Sequence, residues 1–225
     1  VPLENLTSRI EGVIRRKGKI ELLQLSGGEP TLHPQLFELL EWAQNHEKID
    51  YVILNTNGLR IARDDEFARG LAVAAARGGL QLYLQFDGPQ EEAQYFLRGA
   101  DLRAMRERAL DRCSAMKLVT TLAMTVTPDN LPFVWDAICF GLARPFVHGI
   151  TFQPMFTSGR VPSAQKESVR VAQNRLNTAD ILMAAVEQSG GMLKYTDLTP
   201  LPCGDPNCAV IGYLLNGLGL TVSWL

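Results

Sequence analysis

Leu80-Gln81-Leu82-Tyr83-Leu84-Gln85-Phe86-Asp87 decides the fold. Leu80, Leu82, Leu84 and Phe86 fall on one side of an extended chain, and Gln81, Tyr83, Gln85 and Asp87 on the other. This is the clearest strand in the sequence. Working outward, strands are expected at 20–25, 51–55, 117–127 and 149–155. Helical patterns lie between them. Leu3, Leu6, Ile10, Val13 and Ile14 share one face before Gly18, and Leu36, Leu39, Leu40 and Ala43 follow Pro34. Asp64 is placed to cap a helix carrying Phe67, Leu71 and Ala74, and further helices are expected at about 132–142 and 178–188. Alternating strands and helices with short connections predict an α/β protein with a mainly parallel sheet. Strands covered on both faces usually read as continuous apolar runs, whereas here one side carries Gln, Thr, Tyr and Asp. The polar side can line a concave interior, as in a partial barrel, or face solvent.

The bulk composition narrows the function classes. With 225 residues, 46% of them hydrophobic, the chain can bury a full core. A formal net charge of −2 argues against a nucleic-acid partner, whose phosphates reward a basic face. No apolar run reaches the length of a membrane span. The four cysteines, Cys113, Cys139, Cys203 and Cys208, do not form a secreted disulfide framework, so a reducing cytoplasm is the expected location. Cys113 and Cys139 lie in helical apolar patterns and read as small buried residues.

Chemistry concentrates in Leu25-Ser26-Gly27-Gly28-Glu29-Pro30-Thr31, at a strand end before a helix. Two glycines leave backbone carbonyls unshielded, and Glu29 adds a carboxylate. An ammonium needs several acceptors, so it is a natural guest. Pro30 stiffens the exit. The same string is also compatible with an ordinary strand–turn–helix corner and a solvated glutamate. Asn57-Gly58 alone reads as a turn, and Gln85 can simply satisfy polar neighbours.

Three segments, 25–34 (LSGGEPTLHP), 54–59 (LNTNGL) and 82–88 (LYLQFDG), each lie at the C-terminal end of an expected strand, where α/β folds place ligands. In this order they resemble the radical S-adenosylmethionine (SAM) superfamily. Thr151 to Arg160 and Pro202 to Cys208 bring the text nearest to the group of archaeal tetraether-lipid synthases and a related methanopterin methylase. The resemblance implies a partial (β/α)6 TIM-like barrel over 1–156, followed by a loop, a helix and a Cys-containing appendage over 157–225. It implies two cofactors, SAM and a [4Fe–4S] cluster, with a 5′-deoxyadenosyl radical as the hydrogen abstractor. Gly27, Gly28 and Glu29, followed by Pro30, would receive the SAM amino group. Asn55 and Asn57 would meet its carboxylate or ribose, Gln85 and Asp87 the ribose hydroxyls, and Gln153 the adenine or substrate. A reductase, flavodoxin or ferredoxin would supply electrons. The substrate would be a lipid or pterin-like small molecule, alkylated or joined through a new C–C bond at an unactivated carbon.

The sequence departs from the family at the cluster. The Cys-x3-Cys-x2-Cys triplet is nowhere in these residues. Either it lies just before Val1, as a start without Met suggests, or the chain is a SAM- or nucleoside-binding barrel that has lost its cluster. Catalytic residues are therefore not assigned. Cys203-x4-Cys208 is a metal candidate, for an auxiliary iron–sulfur cluster or zinc by resemblance, or else two ordinary thiols in a Pro-rich loop. His33 and His148 read as structural residues at the starts of elements. A Schiff-base or phosphate-ester barrel enzyme lacks support, with no lysine at a strand end and no phosphate loop.

Overall fold

A computed structural model describes residues 1–155, 176–201, 209–215 and 221–222. The fold is α/β, as expected, with five strands in one open parallel sheet ordered β1-β2-β3-β4-β5. These are β1 (Leu23–Leu25), β2 (Val52–Thr56), β3 (Leu80–Gln85), β4 (Thr120–Val126) and β5 (Val147–Pro154). The helices are α1 (Leu3–Lys17), α2 (Leu36–Gln44), α3 (Leu59–Arg63), α4 (Asp65–Ala76), α5 (Glu91–Arg98), α6 (Arg103–Ala115), α7 (Val134–Leu142) and α8 (Thr178–Gln188). The chain forms two compact units, 1–85 with 102–122, and 86–101 with 123–225.

In the first unit, β1 pairs with β2 and β2 with β3 in parallel register, with Leu25 opposite Leu54 and Leu54 opposite Leu82. Along β2 and β3 every second residue is buried: Val52, Leu54 and Thr56, then Leu80, Leu82 and Leu84. Of these, Val52, Leu54, Leu80 and Leu82 form one cluster with Leu36 and Leu40 of α2, Phe67 and Leu71 of α4, and Ala109 and Cys113 of α6. Burial of apolar area at roughly 25 cal/mol per Å² makes this cluster the main stabilising term of the unit. The opposite faces are half-buried and bonded across strands, Gln24 Nε2 to Asn55 Oδ1 at 3.0 Å and Gln81 Nε2 to Thr121 Oγ1 at 2.5 Å.

Local chemistry sets the element ends. Asp64 caps α4 by accepting from the Phe67 N–H at 2.9 Å. The helix expected from Pro34 starts later, at Leu36, because Pro30–Leu32 first closes a 3-10 turn capped by Glu29. His33 and His46 both use Nδ1 to accept from a backbone N–H two residues on. Their Nε2–H then donates to the Val1 carbonyl and to the Glu11 carboxylate respectively. His33 is thus structural, as the sequence suggested.

The second unit buries Val134, Ile138, Val147, Ile150, Ile181 and Ala185. Phe86 and Phe140 stack with ring centroids 4.6 Å apart. α8 is closed by a capping box between Asn177 and Asp180, and its Gln188 reaches the Leu131 carbonyl and the Trp135 N–H. Two short antiparallel pairs follow, Leu198–Pro200 with Val210–Gly212, and Leu214–Leu215 with Thr221–Val222.

Two predictions follow from packing in these elements. Gly58 has φ +76°, and a Cβ there would stand 2.6 Å from Leu84 Cδ1. Gly58→Ala should therefore cost about 1–3 kcal/mol in urea unfolding, from backbone strain and overpacking together; an unchanged midpoint would refute the tight approach. Cys113 is 1% exposed and burial pushes its thiol up to about 12, whereas Cys139 is exposed. Iodoacetamide at pH 8, read peptide by peptide in a mass spectrometer, should label Cys139 in the native chain and Cys113 only after unfolding. Because the folded state raises the Cys113 pKa, its contribution to stability is present at neutral pH and is lost as pH rises toward 12.

Candidate functional site

β1 ends at Leu25, and the chain turns out through Ser26, Gly27 and Gly28, all exposed. Gly27 has φ +125°, a conformation that side-chain-bearing residues rarely adopt. Open space surrounds the position a Cβ would take at both glycines. Among the described residues no donor of the chain reaches the Gly27 or Gly28 carbonyl. The site therefore presents unpaired acceptors on a turn that a ligand can approach closely.

Glu29 follows, and its carboxylate is fixed by four donors. Oε1 accepts from the Thr31 N–H at 3.2 Å, the Thr31 hydroxyl at 2.7 Å and the Thr56 hydroxyl at 2.8 Å. Oε2 accepts from the Asn57 N–H at 2.8 Å. The Thr56 hydroxyl in turn accepts from the Gly58 N–H at 3.1 Å, and Arg60 Nη1 donates to the Thr31 carbonyl. Arg60 is itself held by Asp64 at 3.1 Å and lies over the Phe67 ring at 4.5 Å. One carboxylate thus ties the end of β1 to the end of β2. Beside it lies a cleft of about 650 Å³ lined by Leu6, Ile10, Leu23, Gly28, Glu29 and Leu36 among others.

The structure brings Gly27, Gly28, Glu29, Pro30 and Asn57 together directly, because Glu29 bonds the Asn57 backbone. The Asn57 side chain turns back to accept from the Leu59 N–H at 2.9 Å, helping to start α3. Asn55 is half-buried with its Oδ1 on Gln24. Gln85, at the end of β3, accepts from Arg106 Nη2 at 3.4 Å. Arg106 is 1% exposed, and nothing in the sequence marked it. Sequence reading also missed Thr31 and Thr56; the signal for Thr56 was its place between two candidate asparagines on the apolar side of β2.

In the second unit Asp87 is fully buried at φ +60°. Its carboxylate takes a bidentate pair from Arg98, at 2.6 and 2.9 Å, and a bond from the Thr125 N–H at 3.2 Å. Gln153 is exposed on β5 beside Pro154. Cys203 and Cys208 lie outside the described residues. Among the described residues no group of three His, Cys, Asp or Glu is placed to hold a metal ion, so these residues do not fit an iron–sulfur cluster. No helix among them is long and apolar enough to cross a membrane.

The family model described as "Radical SAM superfamily" matches residues 1–132. The chain belongs to the radical SAM superfamily. It is 26% identical over 226 residues to 7,8-dihydro-6-hydroxymethylpterin dimethyltransferase of Methanocaldococcus jannaschii, covering 98% of this chain and 42% of that protein. It is 29% identical over 190 residues to mycofactocin maturase MftC of Mycobacterium ulcerans, covering 83% of this chain and 49% of that protein. The chain thus spans less than half the length of these curated relatives. Its fold is similar to that of native anSMEcpe with bound AdoMet and Kp18Cys peptide, with a TM-score of 0.52 at 21% identity, covering 76% of this chain and 45% of that one. Native anSMEcpe with bound AdoMet aligns with a TM-score of 0.51 at 22% identity, covering 76% of this chain and 47% of that one. The family is one of enzymes, and it implies SAM and a [4Fe–4S] cluster.

The Asp87–Arg98 pair is testable by stability. Arg98→Ala removes a bidentate cation from a buried carboxylate, at a cost of about 3 kcal/mol, the low end for a buried pair because the guanidinium is partly exposed. Urea unfolding measures it, and a loss no larger than that of a surface charge would remove the anchoring role.

Proposed function

We propose that this chain carries the SAM-binding part of a radical SAM enzyme that abstracts hydrogen from an unactivated carbon of a pterin-like or lipid substrate, for alkylation or C–C bond formation. The observation that carries the reading is the pair of carbonyls on Gly27 and Gly28, which meet no donor among the described residues, beside the fixed Glu29 carboxylate. A SAM ammonium needs acceptors and negative charge, and this turn supplies both. When bound in the full-length protein, SAM and a reduced [4Fe–4S] cluster would supply the hydrogen-abstracting radical chemistry. The cluster's ligands belong, in this reading, to sequence outside these residues.

The chain's own residues then have distinct tasks. Gly27 and Gly28 accept from the ammonium, and Glu29 Oε2 opposes its charge. Pro30 fixes the turn's exit. Asn55 offers its amide N–H groups to the carboxylate or ribose, while the Asn57 backbone keeps Glu29 in place. Gln85 is assigned to the ribose. Asp87 and Gln153 are proposed for the ribose and adenine sides on the resemblance, and Cys203 and Cys208 for an auxiliary metal on the same ground. The pterin side of the substrate reading draws on the similarity to the pterin dimethyltransferase; a flavodoxin, ferredoxin or reductase would deliver the electron.

The test uses the full-length protein, reconstituted anaerobically with iron and sulfide. Under reduction it should convert SAM to 5′-deoxyadenosine, and a pterin deuterated at the reacting carbon should pass label into that product. A four-iron protein that binds SAM without cleaving it would leave only the binding-barrel reading. Glu29→Ala should raise the SAM dissociation constant by about tenfold or more, the range of a hydrogen bond to a charged group.

A further inference from the structure

We propose that Thr31 and Thr56 are positioning residues that aim the Glu29 carboxylate, so that recognition of the SAM amino group depends on two buried hydroxyls that never touch SAM. This rests on the SAM-binding reading above and adds to it a specific geometric cause. A carboxylate offers about four acceptor sites, two on each oxygen. Oε1 takes three donors from Thr31 and Thr56, whereas Oε2 takes one, from the Asn57 N–H. The remaining acceptor capacity is therefore on Oε2, and the carboxylate presents its charge through that oxygen.

The two hydroxyls are themselves set. Thr31 is fully buried, and Thr56 is 5% exposed. Thr56 lies on the same side of β2 as Val52 and Leu54, among apolar neighbours where an unpaired hydroxyl is costly. Its oxygen accepts from the Gly58 N–H, which leaves its own proton for Glu29. Thr31 bonds Oε1 twice, through its N–H and its hydroxyl, and Arg60 holds its carbonyl. Rotating the Glu29 carboxylate would break three bonds to Oε1 at once. A glutamate without these partners would keep its charge and lose its direction.

Direction and charge separate experimentally. Dissociation constants are measured by anaerobic calorimetry on the full-length, cluster-loaded protein, for SAM and for its analogue lacking the amino group. Thr56→Val and Thr31→Val each remove a hydroxyl at nearly constant volume. Each should weaken SAM by about tenfold and leave the desamino analogue unchanged, with Thr56→Ser restoring wild-type discrimination. Glu29→Asp keeps the charge but falls one methylene short of Oε1's partners, so it should lose the same discrimination. It also keeps the question open to test if the valine variants do not fold. Equal weakening of both ligands, or undiminished discrimination in Glu29→Asp, would overturn the positioning role. If the wild-type protein itself does not distinguish SAM from the analogue, the ammonium site at Gly27, Gly28 and Glu29 fails instead.

Discussion

A carboxylate that receives four hydrogen bonds from its own chain holds two strand ends in one arrangement, and Glu29 does this for β1 and β2. The parallel register makes the tie feasible. With Leu25 opposite Leu54, the chain leaving β1 reaches Glu29 just as β2 delivers Thr56 and Asn57. Charge-assisted bonds to an ionised acceptor are roughly twice as strong as neutral ones, so the tie fixes the turn between them firmly. The consequence falls on Gly27 and Gly28. Among the described residues their carbonyls meet no donor, and both flanking segments are already committed, one to the sheet and the other to the Glu29 turn.

The apolar side of the first unit serves the same end. Thr56 interrupts the run of Val52 and Leu54, and its hydroxyl would be a liability in that position without Glu29. Gly58 then needs a left-handed backbone and leaves room for Leu84. Arg60, one turn further on, links the Thr31 carbonyl to Asp64 and to the Phe67 ring. Core packing, helix capping and the orientation of Glu29 are thus a single connected set of contacts. A change at any of them is felt as both stability and geometry, which is why ligand discrimination rather than affinity alone separates the two.

Much of this was legible in the sequence. The alternation of Leu80, Leu82 and Leu84 with Gln81, Tyr83 and Gln85 placed β3, Asp64 announced α4, and the Gly-Gly-Glu-Pro turn stood out by its chemistry. What was not legible depended on partners distant along the chain. Thr56 reads as an ordinary strand residue until Glu29, 27 positions earlier, is placed beside it. Asp87 stood out as an acid at a strand end, but its tie to Arg98, at the far end of the next helix, needs the fold to be seen. Arg106 is buried on α6 in line with Ala109, Leu110 and Cys113, but in a helix so rich in charge it reads as one more solvated arginine. Helix α5 went unassigned because Glu91, Glu92 and Gln94 dilute its short apolar pattern.

The contrast between Glu29 and Asp87 shows what a strand-end acid can be used for. Asp87 is fully buried, sits at a positive φ and meets a guanidinium in bidentate contact; its charge is neutralised within the protein and organises the start of the Gly88 turn. Among the described residues Glu29 meets no cation. Its donors are two neutral hydroxyls and two backbone N–H groups, which orient the charge and lower its energy without cancelling it. A carboxylate arranged in that way still attracts a cation, and the adjacent open glycine turn is where a small one can reach it. The opposite sequence outcome, an arginine beside Glu29, would give a better-neutralised turn and a poorer ammonium site.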